Sequence, residues 1–158
     1  MHIIHLLPPI YNESSKVLIL GTIPSVKSRE QNFYYANKTN RFWPIFETLF
    51  NINLNSNIDK KEFLLNNNIA LWDVIKSCDI TSSNDASIKN EKINDLNMII
   101  NNSNIKAIFC TGKKSFNVLK KYYNTNTPVY YLSSPSAANA TKSIKELVEE
   151  YKIILNYL

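Results

Sequence analysis

KVLILGTIPSVKSREQNFYYANKTNRFWPIF, residues 16–46, is the stretch on which the fold turns. Its opening, Lys16 to Leu20, contains a short apolar run that reads as a buried strand. Gly21-Thr22-Ile23-Pro24-Ser25 ends the run with a tight turn. A polar loop follows and carries three consecutive aromatics, Phe33, Tyr34 and Tyr35. From Asn40 the spacing changes. Phe42, Trp43, Phe46, Leu49 and Phe50 share one face of a helix over Asn40 to Phe50, with Asn40 placed as its N-cap. A strand that empties into a polar loop and then a helix is the place where open α/β sheets bind ligands. A glycine turn, aromatics, an amide and an arginine in so short a span suit a pocket for a flat, hydrogen-bonding base on a phosphate chain.

Outward from this stretch, strand and helix patterns alternate. Asp59 to Asn67 reads as a short helix begun by a capping Asp, Ile69 to Val74 as a strand, and Asp79 to Asn90 as a polar loop. Glu91 to Asn101 is expected to be a helix, with Ile93, Leu96, Ile99 and Ile100 inward. Ile105 to Cys110 is the third strand, Lys113 to Tyr123 a helix, Val129 to Leu132 the fourth strand, and Thr141 to Tyr157 the last helix. Such alternation implies an α/β fold with a mostly parallel sheet covered on both faces. Right-handed crossovers then bring the loops Gly21 to Tyr35 and Ser133 to Ala140 over one cleft.

The chain has 158 residues, enough for one domain around a single core, and its 44% hydrophobic and 20% charged residues are those of a soluble globular protein. The net charge of +5 fits either a well-solvated surface or a polyanionic partner. Two cysteines, Cys78 and Cys110, cannot build a four-thiolate metal or iron–sulfur site or a disulfide framework, and Cys110 reads as a core thiol. Met1 to Ile10 is apolar but short, lacks a basic start and runs into Pro8-Pro9. It does not read as a signal peptide, and no stretch is long enough to span a membrane. A cytoplasmic protein is expected. The abundance of Asn, Lys and Ile points to an AT-rich bacterial genome, and explains chance Asn-x-Ser/Thr matches such as Asn37-Lys38-Thr39. His2 and His5 read as incidental.

The motifs, in their order, resemble the uracil-DNA glycosylase superfamily, and within it the hypoxanthine-DNA glycosylases. Gly21-Thr22-Ile23-Pro24-Ser25, Phe33-Tyr34-Tyr35 and Asn40-Arg41-Phe42-Trp43 look like its first motif. Leu132-Ser133-Ser134-Pro135-Ser136-Ala137-Ala138-Asn139-Ala140 looks like its second. Ala70-Leu71-Trp72-Asp73-Val74-Ile75 with Ser77-Cys78, and Cys110-Thr111-Gly112, match in between. The resemblance implies a three-layer α/β/α sandwich around four parallel strands. It implies a monofunctional DNA glycosylase that excises a deaminated base from DNA: hypoxanthine first, with uracil and xanthine as alternatives. The partner is then double-stranded DNA, with single-stranded DNA as an alternative. The protein is expected to be a monomer with no metal, no organic cofactor and no lysine nucleophile.

The same resemblance distributes roles. Where most of the superfamily has Asp or Asn to orient water, this chain has Ile23, which cannot polarise one; the hypoxanthine branch gives that task to the residue here numbered Asn40. Asn40 serves equally well as a helix cap. Gly21 leaves room for base or sugar, Ile23 lines the base site, and Tyr35 is the stacking aromatic, unless it is a core residue. Thr111, at a strand end, is placed to read a purine, whereas Asp73 and Asp85 are weaker candidates for the pocket. Ser25, Lys27, Ser28 and Arg29 suit phosphates. Arg41 either binds a phosphate or locks the loop. Ser133, Ser134, Ser136 and Asn139 pinch the DNA backbone, or simply form a loop before the last helix. Leu132 stands where other branches often have histidine. The Ile23 and Leu132 departures leave open a catalytically lapsed damaged-DNA-binding module, and a mismatch-specific uracil-DNA glycosylase is a third reading.

Overall fold

In the computed structural model, which describes residues 1–82 and 85–158, the chain runs β1 (His2–Ile4), β2 (Val17–Gly21), α1 (Val26–Gln31), α2 (Phe42–Phe50), α3 (Asn57–Asn66), β3 (Ile69–Asp73), β4 (Ile75–Asp79), β5 (Lys89–Ile93), α4 (Asn97–Ile100), β6 (Ala107–Thr111), α5 (Lys113–Tyr122), β7 (Val129–Leu132) and α6 (Ile144–Tyr151). Short 3-10 turns cover Asp85–Ser87 and Lys152–Tyr157. Strands β3-β2-β6-β7 lie side by side in that order, each pair parallel. Every residue of β2, β3 and β6 is buried, which explains why these strands read as unbroken apolar runs. Helices flank the sheet and complete the α/β/α sandwich. Helix α2 packs on α6, where the rings of Phe46 and Tyr151 meet edge to face.

From β2 the chain moves to β3 on one side, then returns across β2 to β6 on the other. The strand order therefore reverses at β2 and β6, the position where doubly wound sheets open a crevice. Register sets what lies there. Gly21 is opposite Asp73, Leu20 is opposite Cys110, and Thr111 is opposite Leu132. The carboxyl ends of all four strands thus finish level, under the same loops.

Several expectations need correction. A second sheet of antiparallel strands, β1-β4-β5, stands beside the first. The expected helix from Glu91 is strand β5 up to Ile93, and only Asn97–Ile100 is helical. Asn94 makes the break: its buried side-chain amide donates to the carbonyls of Asp73 and Ile75, tying the chain to the bend after β3. The loop after Gly21 contains α1, capped by the Ser25 hydroxyl, which accepts the Ser28 N–H. Finally, α2 starts at Phe42 with Arg41, not Asn40, at its N-cap, α3 is capped by Ser56 rather than Asp59, and the last helix, expected over Thr141 to Tyr157, is α-helical only over Ile144–Tyr151, capped by Ser143 and followed by the 3-10 turn. The expected polar loop Asp79 to Asn90 includes Ser83 and Asn84, which lie outside the described residues.

Candidate active site

A cleft of about 1100 Å³ opens over the carboxyl ends of β2, β3 and β6. The loop after β2 and the Ser134–Asn139 segment both line it, as the crossover argument requires. Gly21 lies on its floor, and two groups press against it. A Cβ placed there would stand 2.4 Å from Asp73 Oδ1 and 2.8 Å from the Tyr35 hydroxyl. Any larger residue would have to displace both.

Tyr35 is half-buried and adopts a left-handed backbone, φ 51°. Its ring lies parallel to Phe42, with centroids 3.9 Å apart and planes within 4°. The Tyr35 hydroxyl lies 3.1 Å from Thr111 Oγ1. The Thr111 hydroxyl in turn donates to the Leu20 carbonyl, which makes Tyr35 the donor of the first bond. Burial, and then the nearby Asp73 charge, push the Tyr35 phenol far above its ordinary range, so it keeps that proton. Both ends of the ring are therefore fixed: Phe42 covers a face and Thr111 holds the tip. Thr111 is buried and its hydroxyl is already engaged twice. The structure places it behind Tyr35, supporting that residue.

The other two aromatics belong to the core. Tyr34 is buried, and its hydroxyl donates to the Pro8 carbonyl at 2.8 Å. The Tyr34 carbonyl accepts the Trp43 indole N–H at 3.0 Å. Phe33 stacks on Trp43.

Asn40 lines the cleft just before α2. Its Oδ1 accepts the Phe42 N–H at 2.9 Å, a turn bond from one residue ahead of the N-cap Arg41, which holds the amide in one orientation. One lone pair of that oxygen remains, and Nδ2 makes no hydrogen bond among the described residues. Ile23 is half-buried in the cleft wall.

Arg41 turns away from solvent. Its N–H groups donate to four main-chain carbonyls: Pro135 at 3.3 Å, Lys142 at 2.5 Å, and Ser136 and Asn139 at 2.8 Å each. The Arg41 backbone N–H adds a bond to Pro135 at 3.0 Å. Of the two roles open to Arg41, this is the geometry of the lock. Inside the locked loop, the Ser134 hydroxyl accepts the Ser136 N–H and the Ser136 hydroxyl accepts the Ala138 N–H. Each of these serines keeps its own proton to donate. The Asn139 amide donates to the Ser134 carbonyl and accepts from the Thr141 hydroxyl.

Two proposed phosphate contacts are placed elsewhere. Ser133 is buried, and its N–H and hydroxyl both donate to the Glu150 carboxylate, at 2.6 and 2.7 Å. Ser28 is buried too, and its hydroxyl accepts the Ala36 N–H, which ties α1 to the aromatic segment. Ser25 and Lys27 are exposed, with Lys27 3.7 Å from Glu30.

Sequence reasoning passed over His5. Its Nε2 lies 2.9 Å from Asp73 Oδ2, and both side chains are almost wholly buried, at 1% and 5% exposure. An imidazole amid the apolar residues just before Pro8 is the one signal that could have raised it. Asp85, by contrast, sits at the cleft mouth and is exposed.

The sequence model of the Uracil DNA glycosylase superfamily matches residues 8–157. Over 143 residues the chain is 31% identical to the Hypoxanthine DNA glycosylase of Methanosarcina barkeri, covering 87% of this chain and 90% of that one. A protein of the same name from Methanosarcina acetivorans is 37% identical over 90 residues, 56% of this chain and 57% of that one. A solution NMR structure from Methanosarcina acetivorans, provisionally described as a uracil DNA glycosylase, superposes with a TM-score of 0.80 at 28% identity, covering 98% of this chain and 99% of that one.

Proposed function

Because the chain belongs to the Uracil DNA glycosylase superfamily, we propose that it hydrolyses the N-glycosidic bond of hypoxanthine in DNA and leaves an abasic site. The observation that carries this reading is the pairing of a rigid ring, Tyr35, with a rigid amide, Asn40, in one cleft. A base inside a duplex cannot reach such a cleft, so the nucleotide must leave the stack. The flipped base then rests beside Tyr35. Asn40 holds a water against the anomeric carbon through its remaining lone pair. The transition state resembles an oxocarbenium ion, and it needs fixed dipoles and a placed water more than covalent help. The Phe42 N–H holds the Asn40 oxygen before the substrate arrives, so little reorganisation is left for the reaction itself. The Ser134 and Ser136 hydroxyls and Lys27 are assigned to the phosphates beside the lesion. The substrate is taken to be double-stranded DNA bound by a monomer.

The test is abasic-site formation on matched duplexes carrying hypoxanthine, uracil or xanthine, read as alkali-labile product. Excision of hypoxanthine faster than of uracil supports the proposal. The reverse order makes the chain a uracil enzyme. Folded protein that binds the hypoxanthine duplex, yet yields no product at large enzyme excess, is a binding module.

A further inference from the structure

We infer that Val26, in the first turn of α1, is the wedge that enters the DNA stack and keeps the expelled nucleotide from returning. Expelling a nucleotide leaves a gap between its neighbours, and apolar side chains fill such gaps by inserting between base steps. The loop before α6 supplies no filler of that size: Ala137 and Ala138 are exposed and line the cleft, but each side chain is a single methyl group. Among the described residues, two large apolar side chains both line the cleft and stand out from the surface, Val26 and Met1, at 52% and 81% exposure.

A wedge works by refusing to yield, and Val26 is the stiffer of the pair. Its branched side chain has one strongly preferred rotamer in a helix, whereas methionine turns about three bonds. The backbone beneath it is pinned as well. The Ser25 hydroxyl accepts the Ser28 N–H at 3.1 Å, and the buried Ser28 hydroxyl accepts the Ala36 N–H at 3.2 Å. The Phe33 N–H returns to the Ser28 carbonyl at 3.0 Å. Helix α1 is thus tied to the turn before it and to the aromatic segment after it, so Val26 is held in register with Tyr35. Arg29, three residues on, lies on the same side of the helix and also lines the cleft. The helix therefore meets DNA with a stiff apolar tip beside a cation, which suits a gap in the stack flanked by phosphates.

This inference rests on the base-excision reading, and its test can fail separately. Single-turnover excision is measured on deoxyinosine in a matched duplex and on deoxyinosine left unpaired in a bubble, where no stack has to be held open. Val26→Ala removes both γ-methyl groups and should slow the matched duplex on the order of tenfold, as loss of that apolar surface allows, while the bubble changes little. Val26→Ile, still branched and apolar, should keep the native rate on both. Val26 is exposed, so its variants should melt like the native protein. Equal slowing on both substrates, or none on the duplex, overturns the wedge. A second readout needs no chemistry: 2-aminopurine placed beside the deoxyinosine brightens when its neighbour leaves the stack. Saturating native protein should raise that fluorescence, and Val26→Ala should raise it much less. No rise with the native protein, or the same rise with Val26→Ala, also overturns the inference. A rise that depends on Val26, without excision of either substrate, leaves the wedge standing and removes the glycosylase reading.

Discussion

Replacing Arg41 separates a lock from a phosphate contact. Its guanidinium donates to the carbonyls of Pro135, Ser136, Asn139 and Lys142. A hydrogen bond to a charged group contributes about 1.5–3 kcal/mol. The four bonds share one cation, and the partly exposed carbonyls regain water when it is removed, so their losses do not add. We expect Arg41→Ala to cost about 3 kcal/mol, concentrated in the Ser134–Lys142 loop. That is roughly two decades in a local opening constant. The amides of Ser136, Ala138 and Asn139, each bonded within the loop, are the reporters. Their hydrogen exchange should accelerate on the order of 10²-fold, while amides of β2 and β6 change far less. Arg41→Lys should behave almost like alanine, because an ammonium cannot present a planar fork to four acceptors. Arg41 is a phosphate contact and not a lock if Arg41→Ala leaves loop exchange and melting temperature unchanged but reduces the salt dependence of DNA binding by about one phosphate contact.

Four further outcomes are expected. Asn40→Ala should lose about 10²-fold or more in single-turnover rate, with only about 1 kcal/mol of stability from the lost bond to the Phe42 N–H; rate and melting temperature on one preparation decide it. Tyr35→Phe should keep lesion binding while losing about 1 kcal/mol of stability, since the ring stays on Phe42 and only the Thr111 bond disappears. Gly21→Ala should destabilise by about 1–3 kcal/mol, because its methyl enters the space of Asp73 Oδ1 and the Tyr35 hydroxyl; a melting curve at native stability would contradict that crowding. Burial pushes the Cys110 thiol up to about 12 and also raises that of Cys78, so little of either is thiolate at pH 8. Iodoacetamide should therefore label both cysteines in denaturant and neither in the native protein, as mass spectrometry can check.

The parts of the fold legible in the sequence were those whose burial leaves a period. Strand β2 reads as a strand because both faces are covered, and α2 reads as a helix because Phe42, Trp43, Ile45 and Phe46 are buried along one side. Helix α1 left no such trace: its six residues bury only Ser28. Around Ile93 the pattern misled. Ile93, Leu96, Ile99 and Ile100 keep helical spacing, yet Ile93 belongs to an antiparallel ladder opposite Ile75. Within the site, Gly21, Tyr35 and Asn40 could be singled out because one short segment holds them. His5 could not, since 68 residues separate it from Asp73. Nor could sequence tell Ser133, bound to Glu150, from Ser134 with its free proton. Hydroxyl residues look alike until their partners are known.

Asn40, Arg41, Phe42 and Trp43 are consecutive, yet each answers to a different part of the molecule: the cleft, the distant loop, the Tyr35 ring and the Tyr34 backbone. This arrangement constrains how the gene can vary. Inserting or deleting one codon here would turn the helical members by about 100° each and break all of these attachments together. Length variation among descendants should therefore accumulate upstream, in the exposed Asn37–Thr39 turn, and leave the four-residue run intact. Point changes within the run should instead sort cleanly by phenotype, so saturating these four codons would yield separation-of-function alleles for chemistry, loop order, ring placement and core stability.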